Sequence, residues 1–251
     1  MLDTSANNKR IAKNILMLYF RMVLLLVISL YTSRVILREL GVDDYGVYNV
    51  VGGIIVILSF LNQAMASGTQ RFLNVEMGKN NQKAVNKVFA TSQQIHFGVS
   101  FCMFIIAETV GLWFLNNYMN IPEGRLGAAN WVYQFSIISA IFGVFTVPYN
   151  ATIISHEKMS AFAYIGIVEA VLKLLVAFAI IWAPYDKLII YAALIMLVSM
   201  INCVVYVNYG IKNFEECRHF TLKRNKLMMK QMLSFSGWTV FGNLGYILHT
   251  Q

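Results

Sequence analysis

Residues 14–37, NILMLYFRMVLLLVISLYTSRVIL, form a long apolar run with a guanidinium well inside it, Arg21, seven residues past Asn14, and a second, Arg34, near its far end. About 20 helical residues rising 1.5 Å each span the ~30 Å hydrocarbon core of a bilayer, so the run is long enough to cross one. On a lone helix Arg21 would sit deep in that core, where a charge costs at least ~2.5 kcal/mol. Asn14, Arg21 and Thr32 fall within about 40° of one another on a helical projection, leaving leucines and valines on most of the remaining surface. Two readings stay open. The stripe faces a polar cavity or partner, or Arg21 snorkels to the nearer interface about two turns past Lys13.

The rest of the chain repeats the pattern. Of 251 residues, 58% are hydrophobic and 13% charged, against about 25% charged in soluble domains. Six apolar runs are predicted to be spanning helices, at 11–37, 47–68, 89–115, 126–148, 161–183 and 188–211. A seventh begins near Leu233. The three prolines, Pro122, Pro148 and Pro184, fall at or near the ends of these runs. The fold class is therefore all-α, a polytopic helical membrane protein. Because the last run reaches Gln251 without a closing polar flank, the chain is expected to be the front part of a longer protein.

Net charge +8 does not imply a nucleic-acid partner, because the basic residues lie in short segments between apolar runs. Fourteen of the 20 lysines and arginines fall on one side of the threading and four on the other, the remaining two being Arg21 and Lys173. The positive-inside rule places the N-terminus and the longer loops in the cytoplasm. Trp113, Trp131, Trp182, Tyr118, Tyr133, Tyr185 and Tyr191 lie near the opposite helix ends, as an interfacial aromatic belt requires. The residues MLDTSANNKR lack the apolar core and small-residue cleavage site of a signal peptide, so the first helix is expected to stay as an anchor.

Several polar residues stand inside the runs. Gly52, Ser59, Gln63, Ser67 and Gln70 share one face of the second helix, suiting either close packing or a wetted cavity, and Gln63 points to the cavity. Glu108 is either a proton or cation carrier or a side chain reaching the outer interface near Trp113. Glu169 and Lys173, four apart with the acid first, form either a self-neutralised pair or a pair facing the cavity and opened by substrate or a proton. Ser199, Asn202, Tyr206 and Tyr209 share a face of the sixth helix, the tyrosines as belt residues. His96 reads as an interfacial hydrogen bonder. Lys79, Lys83 and Lys87, and the segment 222–233, read as basic surfaces on anionic lipid. Asp43 and Asp44 read as turn chemistry.

Catalytic signatures are missing from the sequence. There is no P-loop, no HExxH and no GxSxG. Cys102, Cys203 and Cys217 make no metal spacing and, being odd in number, no disulfide framework. No catalytic residue, metal or cofactor is expected.

The string RVILRELGVDDYGVYNVVGG (34–53) places LG before a YG pair, and GTQRFLNVEMGKNNQKAVNKVFATS (68–92) places an arginine before E-x-GK. With SFSGWTVFGNLGYIL (234–248), these segments resemble the polysaccharide-transporter branch of the multidrug/oligosaccharidyl-lipid/polysaccharide exporter superfamily, which includes O-antigen flippases. The resemblance implies two pseudo-symmetric six-helix lobes around a cavity. Residues 1–211 would form the first lobe, 212–232 a basic cytoplasmic linker, and 233–251 the start of the second lobe with the seventh helix. It implies export of undecaprenyl-diphosphate-linked oligosaccharide across the bacterial inner membrane, with membrane lipids and other polysaccharide-assembly proteins as partners. Arg21 would then contact the diphosphate, Asn62 and Gln63 the sugar hydroxyls, and Glu108 or the Glu169–Lys173 pair would couple an ion. The drug-exporter branch typically carries an acidic cation site in its first helix, and none stands there in this sequence. The alternatives are a small-molecule or multidrug exporter of the same superfamily and, from another class, a membrane enzyme of polysaccharide assembly.

Overall fold

A computed structural model describes residues 4–218 and 225–250, without the side chains of 54–61 and 240–250 and of several residues before Asn14. Among these residues there is helix and no strand. The elements are α1 (Thr4–Gly78), α2 (Gln82–Ile106), a π-helical turn (Ala107–Gly111), α3 (Leu112–Asn117), α4 (Leu126–Ser155), α5 (Met159–Ala179), a 3-10 turn (Ile180–Trp182), α6 (Lys187–Asn213) and α7 (Lys226–Thr250). Five segments of the described residues are long and apolar enough to cross a membrane: 14–53, 82–117, 126–155, 159–182 and 187–213. The expected second span, 47–68, overlaps the first of these and runs through 54–61, whose side chains lie outside the described residues. The protein is an all-helical, multi-pass membrane protein. Leu16, Leu30, Phe97 and Tyr164 are each more than half exposed, the surface that a bilayer covers.

The first two runs are joined without a loop. Helical hydrogen bonding continues through 38–46, and the axis breaks only at Gly41, whose φ of +80° and ψ of 172° leave helical space. A side chain there would be strained, which is why the break falls on glycine. Asp43 and Asp44 accordingly lie on a helix and not in a free turn. Similarly, the expected loop at 69–88 shrinks to a turn, with α1 reaching Gly78 and Asn81 capping α2 through a bond from the Ala84 amide, 3.2 Å. Helix α4 runs through the buried Pro148 to Ser155, where the sequence pattern ended the run. A proline interior to a helix removes one backbone bond, and neighbouring helices make that tolerable in a membrane.

Helix α4 packs against α1, α2 and α6, α1 also against α5, and α7 against α1 and α2. Three apolar clusters fill the interior. One, around Leu73, Phe89, Ile153 and Phe214, lies at the end carrying the basic loops. A second, around Val51, Leu115, Tyr133 and Leu188, lies at the other end. The third joins Val35 and Ile36 of α1 to Ala177, Ile180 and Tyr191.

Each end is tied by ions. At one end Arg125, before α4, donates from Nη1 to Asp186 (2.5 Å) and from Nη2 to Asp44, while Lys187 Nζ reaches Glu39 at 3.1 Å. Burial opposes ionisation of Asp186, but the Arg125 hydrogen bonds and the Ile189 and Leu188 amides outweigh it and hold its pKa below the usual carboxylate range. At the other end His156 Nε2 donates to Glu216 Oε1 at 2.6 Å, and Gln82 Nε2 donates to Oε2 at 3.3 Å. Glu216 is 1% exposed. Burial alone would raise its pKa, yet the His156 bond and its own amide bring the net value down.

Several expectations are corrected by burial. Trp113, Trp131, Trp182, Tyr118 and Tyr185 are exposed as a belt requires, whereas Tyr133 and Tyr191 are core residues. Tyr133 donates to the Ala107 carbonyl, 2.8 Å, inside the π turn. Tyr206 is buried in the first of the apolar clusters and is not a belt residue. His96 is 1% exposed, so it is no interfacial group. Its Nδ1 lies 2.7 Å from the Ser92 carbonyl, one turn back. Lys79, Lys83 and Lys87 are exposed as expected, while residues 219–224, which include Lys223 and Arg224, lie outside the described residues.

Two outcomes follow from this packing. A Cβ at Gly111 would stand 1.9 Å from Tyr133 Oη, so Gly111→Ala is expected to destabilise by about 1–3 kcal/mol. Tyr133→Phe in the same chain should recover part of that loss, both read as thermal unfolding midpoints in detergent. The Cys217 thiol is 6% exposed, and burial followed by the Glu216 charge pushes its pKa up to about 12. Because thiolate is the reactive form, an impermeant maleimide should label Cys217 slowly from either face. The exposed Lys212→Cys should label quickly and from one face alone; fast labelling of Cys217 contradicts the packing.

Candidate functional site

Two cavities among the described residues are each bounded by more than one of the long helices. The first, about 400 Å³, is bounded by Arg21, Ser29, Thr32 and Ser33 of α1, Gly166, Glu169 and Lys173 of α5, and Tyr191 of α6. Arg21 and Thr32 reach it together because eleven residues make close to three full turns. Asn14, the third member of that stripe, does not line it.

Arg21 lies with its guanidinium carbon 4.1 Å from the centre of the Phe162 ring. That contact supplies about 0.5–2 kcal/mol but no hydrogen bond, and Nε is buried without a partner. Gly166, one turn after Phe162, makes the approach possible. A Cβ there would meet Nε at 2.7 Å and Nη2 at 2.9 Å. Thr32 Oγ1 is also buried and unpartnered.

Across the cavity Lys173 Nζ donates to Glu169 Oε1 at 2.6 Å, and Asn202 Nδ2 of α6 donates to Oε2 at 3.0 Å. The pair is self-neutralised and lines the cavity. Its side chains are 30% (Glu169) and 43% (Lys173) exposed, so the pair stays open to the cavity space. With Glu169 and Lys173 cancelling, the charge left over is that of Arg21. Asn202 was visible only as part of a polar stripe; its bond to Glu169, 33 residues away, has no local sequence signal.

The second cavity, about 560 Å³, lies between α1 beyond the Gly41 break, α4 and α6. Asn62 lines it together with Asn49, Ser136 and Ser139. Gln63 does not line it and is exposed, so the expected Asn62–Gln63 pair is split. Glu108 lines neither of these cavities. It sits in the π turn and accepts from Gln134 Nε2 at 3.2 Å. Among the described residues no cluster of three or more metal-ligating side chains occurs.

A crystal structure of a MATE protein carrying a proline-to-alanine substitution has the same fold, with a TM-score of 0.74 at 12% identity over 92% of this chain and 53% of that one. The chain thus spans about half the length of the structure it matches. No protein-family model and no curated protein matches the chain. At such low identity the likeness shows the architecture alone, a MATE-like half-fold of membrane helices.

The Gly166 contact yields a direct test. In Gly166→Ala the added methyl meets a flexible side chain, so Arg21 should swing away from Phe162 while the helix gains about 1 kcal/mol of propensity. Thermal stability should therefore stay within a few degrees of wild type, and a structure of the variant should show the guanidinium displaced. An Arg21 still centred on Phe162 contradicts the close packing.

Proposed function

We propose that the protein is a membrane exporter that flips a lipid-diphosphate-linked oligosaccharide across the bacterial inner membrane, with its N-terminus in the cytoplasm. The single observation that carries this reading is the uncompensated Arg21 guanidinium in a hydroxyl-bearing cavity between α1 and α5. Guanidinium donates parallel hydrogen bonds to phosphate oxygens and keeps its charge at every relevant pH. Ser29, Ser33 and Thr32 add donors on the same wall. Residues 1–211 act as the first lobe and 212–232 as the expected linker, within which α7, the first helix of the second lobe, already begins at Lys226 rather than near Leu233. The exposed basic end, including Lys79, Lys83 and Lys87, meets anionic lipid.

Ion coupling is assigned to Glu169. Both of its oxygens are occupied, by Lys173 and Asn202, so a proton on Glu169 releases Lys173 into the cavity beside Arg21. A second positive charge there favours an anionic headgroup. Glu108, bonded to Gln134 away from the cavity, does not share this arrangement.

A small-molecule exporter of the same superfamily is the second reading. The cavity volume of about 400 Å³ favours it, since pockets for small ligands run to about 300–1,000 Å³. Complementation separates the two in strains lacking a lipid-linked-oligosaccharide flippase. With the full-length protein at equal expression, Arg21→Ala is expected to lower surface glycan at least tenfold, and Arg21→Lys to keep partial export because charge remains without the planar fork. Wild-type glycan export by Arg21→Ala removes the diphosphate role. Drug efflux by the wild type with no glycan export establishes the second reading.

A further inference from the structure

The second cavity differs in kind from the first. Its lining carries amides and hydroxyls, Asn49, Asn62, Ser136 and Ser139, and, among the described residues, no acid or base. Asn62 Oδ1 and Ser139 Oγ are buried and have no hydrogen-bond partner. A buried polar atom left unpaired is unfavourable and calls for a partner in the working state. These two stand on different helices, α1 and α4, across one space. Asn49 spends one amide proton on the Tyr45 carbonyl at 2.9 Å, which fixes its rotamer.

Three helical glycines, Gly52, Gly53 and Gly143, also line this space. Glycine in a helix is usually justified by close packing. Here a Cβ at each position would meet nothing within 4 Å, so packing is not the reason, and what the glycines provide is room. Tyr48 lines the second cavity and Tyr191 the first, and their rings touch edge to face at 4.8 Å between centroids. The two spaces are thus neighbours across an aromatic pair, one cationic and one uncharged.

We infer that the second cavity is a subsite for a neutral polyhydroxylated group, namely the sugar units of the ligand whose diphosphate lies at Arg21. This deepens the proposed function and rests on it. Neutral amides and hydroxyls both donate and accept, matching sugar hydroxyls without the desolvation of a charge. Tyr48, on this lining, offers its ring to the apolar face of a sugar. Size alone does not select the sugar, but the absence of charge beside a charged neighbour does.

The test uses the purified full-length protein in lipid nanodiscs and two probes, a polyprenyl diphosphate with and without an attached oligosaccharide. Asn62→Leu and Gly143→Leu change the second cavity. Gly143→Leu enters open space, so it keeps the fold; Ser139→Ala, which deletes one orphaned hydroxyl, is the conservative companion. The leucine variants should weaken the glycosylated lipid at least tenfold and leave the bare diphosphate within twofold, with Ser139→Ala intermediate for the glycosylated lipid. Arg21→Ala should weaken both lipids. If the leucine variants bind both lipids as wild type does, or lose both equally, the sugar subsite is wrong while the Arg21 result stands separately. If the wild type binds neither lipid, the proposed function fails and the subsite with it.

Discussion

A guanidinium inside a membrane span has to be solvated by protein, because lipid offers it neither hydrogen bonds nor counter-charge. Arg21 obtains a ring face from Phe162, a bare backbone from Gly166 and a cavity edged with hydroxyls, but no carboxylate. Glu169 stands on the same cavity and is committed elsewhere, to Lys173 and Asn202. The positions of α1, α5 and α6 relative to one another are those that keep Arg21 charged, sheltered and unspent. A cation held this way is stabilised by whatever anion enters.

The rest of the lobe holds that geometry from its two ends. Arg125 bridges Asp44, just past the Gly41 break, to Asp186, which caps α6 through the Leu188 and Ile189 amides. Lys187 adds a tie to Glu39 before the break. At the opposite end the buried Glu216 joins α2 and the segments after α4 and α6 through Gln82 and His156. Between these clamps the helices present apolar surface to lipid and leave the two cavities inside. The pairs at the ends are partly buried, so they specify which helices meet more than they add to stability.

Much of this was legible in the sequence where the physics is local. Length and hydropathy gave the helices and the membrane. The 3.6-residue period put Arg21 and Thr32 on one face, and four-residue spacing paired Glu169 with Lys173. What the pattern did not carry depends on neighbours distant in sequence. The Asn202–Glu169 bond, the three-way Arg125 bridge and the burial of His96, Tyr133 and Tyr206 are set by which helices pack together. Asn62 lines the second cavity and Gln63 does not, a difference set by where α4 and α6 lie against α1. Pro148 read as a terminator, although in lipid surroundings α4 continues through it.

The central claim is that Arg21 is the group that receives a diphosphate. A cryo-electron-microscopy map of the protein with a glycosylated polyprenyl diphosphate tests it most directly. Phosphate density is expected within hydrogen-bond distance, about 3 Å, of the Arg21 guanidinium, between α1 and α5. Density for the diphosphate elsewhere, with Arg21 still resting on Phe162 and bonded to nothing, would contradict it.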